Sequence, residues 1–89
     1  MKIIKTGFIA KVGGDISAHR KIKNYGCCFI SEEELKTDND YVPTIYESER
    51  GAWSAIRYQC QGLHDFNDKL FATGEVIPVT VNIEIEVRQ

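Results

Sequence analysis

The sequence predicts an α+β domain: a small antiparallel sheet of about four or five strands with one main amphipathic helix packed on one face. Three stretches carry that prediction. Val79, Val81, Ile83, Ile85 and Val87 alternate strictly with Thr80, Asn82, Glu84, Glu86 and Arg88, the period of a strand with one apolar face and one polar face. Lys2 to Val12 alternates too, with Ile4, Phe8, Ala10 and Val12 on one side and Lys5 and Lys11 on the other. Between them, Ala52, Trp53, Ile56 and Cys60 fall on one helical arc, opposite Arg50, Ser54, Arg57 and Gln61. A chain of 89 residues has room for a single domain, residues 1–89, and one small core.

Taken in order, the first strand carries Gly7 and Ile9 as departures on its outer face, and Gly13-Gly14-Asp15 marks a turn. Ile16 to Lys23 mixes charge with weak alternation and is compatible with a strand, a loop or one helical turn. Asn24-Tyr25-Gly26 punctuates again. Cys27-Cys28-Phe29-Ile30 reads as a second core strand. Ser31 followed three residues later by Glu34 has capping-box spacing. Leu35 to Asp40 is too short and polar to carry that helix far beyond a turn.

Tyr41, Val42, Ile45 and Tyr46 are strand formers, and because Pro43 lacks the N–H a ladder needs, the strand is expected either to be an edge or to begin after it. Ser48 then caps the main helix and Glu49 suits its dipole, although Gly51 leaves the capping box incomplete. The helix is expected from Ser48 to Gln61, about three and a half turns. Gly62 is expected to end it in the left-handed conformation, with Leu63 folded back on Tyr58. His64 to Asp68 is polar apart from Phe66. Leu70-Phe71-Ala72 is a small apolar patch before the turn Thr73-Gly74-Glu75. The closing strand runs from Val76 to Arg88, with Pro78 near its start. Pairing of the first and last strands is expected to set Lys5 and Lys11 near Glu84 and Glu86.

Composition narrows the setting. Hydrophobic content of 43% and charge of 27% belong to a folded chain. No apolar run approaches the roughly 18 residues of a membrane span, and no signal peptide is evident at Met1 to Lys5. Three cysteines do not read as a disulfide framework, so a reduced cytoplasmic setting is expected. Net charge is −2, but residues 1–25 hold six cations against one carboxylate and residues 26–89 hold five against twelve. That asymmetry marks either a partner surface or strands that neutralise each other.

Several residue groups invite a functional reading. His19, Arg20, Lys21, Lys23 and Tyr25 combine cations with an aromatic ring, a set suited to phosphates and a stacked base or to an acidic protein surface. The overall acidity, pI 5.6, weighs against nucleic acid, and such a group is common on solvated surfaces. Glu32, Glu33, Glu34, Asp38, Asp40, Glu47 and Glu49 crowd the approach to the main helix. They either imitate a phosphate backbone or keep the protein soluble. Cys60 with His64, aided by Cys27, Cys28 and His19, is the only metal candidate. It lacks the close ligand pairs of structural zinc, and adjacent cysteines on a strand point apart. No metal or cofactor is therefore expected. Nucleophile elbow, P-loop and G-x-G-x-x-G are all missing, so no enzymatic activity is expected. Trp53 reads as core, while Tyr41, Tyr46 and Tyr58 are undecided.

The expected function is a small non-enzymatic module that binds a larger protein or complex. Charge polarity and an exposed edge strand motivate it. A viral or mobile-element inhibitor of a host nucleic-acid machine, such as a CRISPR or restriction complex, is its concrete form. Two alternatives stand beside it: an RNA- or DNA-contacting module using residues 19–25, and a homo-oligomer holding a small ligand between subunits.

Overall fold

The structure, a computed structural model, describes residues 2–21 and 28–84. The chain runs β1 (Lys2–Val12), β2 (Asp15–Arg20), β3 (Cys28–Ser31), α1 (Glu32–Thr37), β4 (Tyr41–Pro43), α2 (Glu49–Cys60), α3 (Asp68–Phe71) and β5 (Glu75–Glu84). Its five strands form one antiparallel sheet in the order β3-β2-β1-β5, with β4 paired to β2. The α+β architecture read from the sequence is the one observed.

Gly13 and Gly14 build the first turn with φ of 60° and 82°. Positive φ at both central residues is what a two-residue hairpin with native twist needs, and few residues other than glycine adopt it cheaply. The hairpin closes with Val12 opposite Asp15, yet β1 and β2 pair only as far as Lys11 and Ile16. Beyond that they separate. Ala18 pairs with Cys28 of β3 and also with Pro43 of β4, so β4 occupies the edge of β2 that β1 has left. Three residues later Tyr46 bridges to Phe8 of β1, through Phe8 N–H to Tyr46 O at 2.9 Å and Tyr46 N–H to Phe8 O at 2.8 Å. The segment 41–46 is thus a wedge driven between the two arms of the first hairpin. Pro43 ends β4 where its missing donor is harmless.

On one sheet face, called the front, α2 lays Ala52, Ile56 and Cys60 over Ala10 and Val12, all five buried. Phe8, Phe29, Trp53, Phe66, Phe71 and Val76 pack around them, with Trp53 and Phe66 tilted against Phe71 at 5.8 and 5.3 Å. Ser48 caps α2 as expected, accepting from Gly51 N–H at 3.1 Å. Its far end differs from the expectation. Gly62 is not left-handed, and Leu63 is 99% exposed and does not return to Tyr58. Gly62 is needed for another reason: its N–H donates to Asp65 O in a tight loop where a Cβ would collide with that same oxygen. α3 was not foreseen; Asn67 caps it, accepting from Leu70 N–H at 3.0 Å.

α1 lies on the back of the sheet, against β2, β3 and β4. Ser31 caps it through Glu34 N–H, and Lys11, a back-face residue of β1, reaches Glu32 Oε1 at 2.6 Å. The expected neighbours of Lys11 and Lys5 are corrected here. The β1–β5 register sets Lys11 opposite Glu75, Lys5 opposite Val81 and Lys2 opposite Glu84. Lys23, Tyr25, Cys27 and Ile85 to Arg88, with Glu86 among them, lie outside the described residues.

Candidate functional site

The long closing strand holds the largest departure from the sequence reading. Each residue of an antiparallel pair shares a face with the residue opposite it. Ala10 pairs with Val76 and Phe8 with Pro78, so those positions look to the front, under α2. The strict apolar alternation has the other parity: Ile77 pairs with Ile9, Val79 with Gly7 and Val81 with Lys5. These side chains point to the back. The two best strand signals in the chain therefore put their apolar residues on opposite faces, and over the β1–β5 ribbon the helix that crosses, α2, is on the front, while α1 on the back lies against β2, β3 and β4.

The back of the β1–β5 ribbon is a strip made by Ile3, Ile9, Ile77, Val79 and Val81, each partly exposed. Ile45 leans over it at Gly7, where a Cβ would collide with the Ile45 side chain. Lys5 interrupts the strip between Ile3 and Gly7, opposite Val81. At the end beyond Ile9 stand Lys11 and Glu75, with Glu32 bonded to Lys11. Towards its tip the ribbon leaves the body altogether. Residues 2–6 of β1 are exposed, Ile4 at 69%, which corrects its expected place in the core. The protrusion makes the molecule long, 57 × 25 × 21 Å.

The outer edge of β5 is less inviting than its face. Phe8 spends its N–H and C=O on Tyr46, so the Phe8–Pro78 pair is a non-hydrogen-bonded one. Pro78 accordingly turns its missing donor to the open edge, where it blunts pairing with another strand.

The carboxylates expected as one patch are divided. Glu32, Glu33 and Glu34 sit on α1, on the back, while Glu47 and Glu49 lead into α2 on the front. Glu32 is engaged by Lys11, whose hydrogen bond and charge hold its carboxyl below the usual range. Asp38 and Asp40 lie beside Arg20: Lys21 N–H donates to Asp40 O at 2.8 Å, and Asp38 Oδ1 accepts from Asp40 N–H at 2.9 Å. The cationic candidates are thus interleaved with acids rather than set apart.

His19 and Arg20 belong to β2 rather than to a loop, and both side chains have internal partners. His19 Nδ1 is 3.0 Å from Thr44 Oγ1. Arg20 donates from Nε to the Tyr41 hydroxyl at 3.3 Å and lies over the Tyr41 ring at 5.6 Å. The hydrogen bond to Tyr41, then the charges of Asp40 and Asp38, favour its protonated form. Cys60 is buried in the core, where burial pushes its thiol up. The helix ends at Cys60, so His64 does not share its face. No group of three metal-ligating side chains occurs among the described residues.

An open groove of 590 Å³ runs along α2, lined by Phe29, Tyr46, Ala55 and Tyr58 together with Gly51, Ser54 and Gln59. Among the described residues, its lining has no carboxylate, imidazole or thiol. Among the described residues, no helix is long and apolar enough to cross a membrane. No protein-family model, curated protein or solved structure matches the chain.

Proposed function

We propose that the chain is a small non-enzymatic protein-binding module, working in a reducing, cytoplasmic setting, and that the back face of its β1–β5 ribbon is the binding element. One observation carries this reading: the described part of the most regular apolar alternation in the sequence, at Val79 and Val81, faces away from α2. A two-stranded ribbon is marginal alone in water. Ile9, Ile77, Val79 and Val81 on one side of such a ribbon give a partner an apolar surface with fixed spacing. Partly exposed side chains in this arrangement are typical of interaction sites.

The test is a pull-down of tagged protein from the source cells, with and without nuclease, beside a Val79→Glu/Val81→Glu variant. Stoichiometric protein capture, copies of the chain itself included, that survives nuclease and is lost in the variant is the expected result. Capture unchanged in the variant removes the ribbon face from the reading. Capture abolished by nuclease shifts the site to the nucleic-acid reading centred on His19, Arg20 and Lys21.

A second reading concerns α1. Glu33 and Glu34 are exposed in its first turn, and they suit a basic groove of a nucleic-acid-processing complex, as in the inhibitor expected from the sequence. Charge reversal at both positions is expected to weaken that binding and leave folding intact. Unchanged affinity would sink it.

A further inference from the structure

We infer that the inner edge of β1, at residues 2–6, is a strand-addition site for an extended segment of another protein, with apolar side chains next to a carboxylate. The site goes beyond the back-face reading, because it is made of main-chain groups in the plane of the sheet. Phe8 turns its N–H and C=O away from β5, onto Tyr46. Alternation along the unbroken β1–β5 register therefore turns the N–H and C=O of Thr6, Ile4 and Lys2 to that same side. After Tyr46 the chain leaves the edge to cap α2 at Ser48, and among the described residues no backbone group bonds to residues 2–6 from that side. Residues 2–6 are all exposed, Ile4 at 69%. Main-chain bonds to such an edge supply affinity, and the alternating side chains supply specificity.

The side chains along the edge define the occupant. Ile4 faces the front with Lys2 and Thr6, and Ile3 faces the back with Lys5. Lys2 has Glu84 opposite it in the register, whereas Lys5 has Val81 and no carboxylate. An incoming strand therefore meets an apolar pair at Ile3 and Ile4 and an uncompensated cation at Lys5. Apolar residues opposite the isoleucines and a carboxylate opposite Lys5 complement it. A second copy of β1 is a poorer occupant. Paired antiparallel about Ile4, it lays the two Lys5 side chains diagonally on one face, where β1 carries no acid. The outer edge of β5 is poorer too, because Pro78 removes a donor there.

Titration of the isotope-labelled chain with an acetylated and amidated peptide, Ser-Thr-Glu-Val-Val-Thr-Ser, followed by amide shifts, tests the inference. Laid antiparallel, its glutamate falls opposite Lys5, its first valine opposite Ile4 and its second opposite Ile3. Saturable shifts of the Ile4 and Thr6 amides are the expected result. Lysine in place of the peptide glutamate is expected to weaken binding about fivefold, and Lys5→Glu to reverse that preference. N-methylation of the first valine, whose N–H meets the Ile4 C=O, should abolish binding. N-methylation of the second, whose N–H points away, should leave it unchanged. Ile4→Pro removes a donor that β5 does not use, so this variant is expected to keep its circular dichroism and lose the peptide.

Shifts that are absent at millimolar peptide, or scattered over the molecule, overturn the site. Binding indifferent to which valine is methylated overturns strand pairing, and binding indifferent to peptide charge overturns the acidic occupant. Self-association of Lys5→Ala, with no peptide bound by the native chain, also overturns the site and leaves Lys5 as a guard of the edge. Val79→Glu, on the back face, is expected to bind the peptide as the native chain does, even if it loses the pull-down partner. Loss of peptide binding in that variant would move the peptide to the back face and overturn the edge.

Discussion

Lys11 Nζ lies 2.6 Å from Glu32 Oε1, and this pair ties β1 to α1 across the back of the sheet. Both groups are solvent-accessible, so the pair is screened by salt and its weight is modest. Its pH dependence has a definite shape. The Glu32 carboxyl is lowered by the Lys11 hydrogen bond and charge, so its contribution is present above the unfolded carboxylate value, about 4.3, and fades as pH falls through the lowered folded value. Lys11 is raised by the same contact, so its contribution holds below its unfolded value of about 10.4 and is lost as pH rises through the folded one. Glu32→Gln should therefore shift the urea midpoint slightly near pH 7 in low salt. The difference should close in acid and in about 0.5 M salt. A gap that persists in acid would mean that Glu32 acts by packing instead.

At the scale of elements, β5 shows how a residue can protect an edge. Pro78→Val restores a backbone donor on the open side of a long β-branched strand. It should raise concentration-dependent aggregation, followed by light scattering at fixed temperature, with little change in circular dichroism. Unaltered solubility would remove that role from Pro78. The same strand marks the limit of what the sequence discloses. Periodicity identified β1, β5 and α2 because each carries a pattern internal to itself, and Ser48 and Ser31 were readable because a cap is a local device. Which face a strand turns towards a helix depends on its register with a distant partner, and alternation alone is blind to that. Hence Val79 and Val81 were read as core and prove to lie on the other side. β4 was half-legible: Pro43 allowed an edge strand or one beginning after it, whereas β4 ends at Pro43, and nothing local disclosed that Tyr46 would cross to Phe8. Ser17 was missed for the same reason. It is fully buried, its Oγ 2.7 Å from the Tyr46 hydroxyl, a partner 29 positions along the chain. Division of the carboxylates between α1 and α2 is likewise a fact of topology, invisible in a run of closely spaced letters.

For the molecule as a whole, the contrast is between a body and an arm. The body has α2 over β1 on the front and α1 against β2, β3 and β4 on the back, whereas the outer ribbon has β-pairing and little else. Local opening should follow that division. Amide hydrogen exchange at Lys5 and Val81 is expected to run at least about tenfold faster than at Ile9 and Ile77, which sit beside the core. Uniform protection along β1 and β5 would show that the arm is as firm as the body.

The β1–β5 ladder also sets a clock. Its first rung joins Lys11 to Glu75 and its last joins Lys2 to Glu84, positions 64 and 82 residues apart. At a synthesis rate of about 5–20 residues per second, roughly 3–13 s separate the emergence of β1 from that of the strand that completes it. Throughout that interval the nascent chain presents Phe8, Ala10 and Val12 with neither β5 beside them nor α3 docked. Pairing of such long range is also slow once the chain is free. A chaperone that recognises extended apolar segments has its opening then, before the last strand arrives.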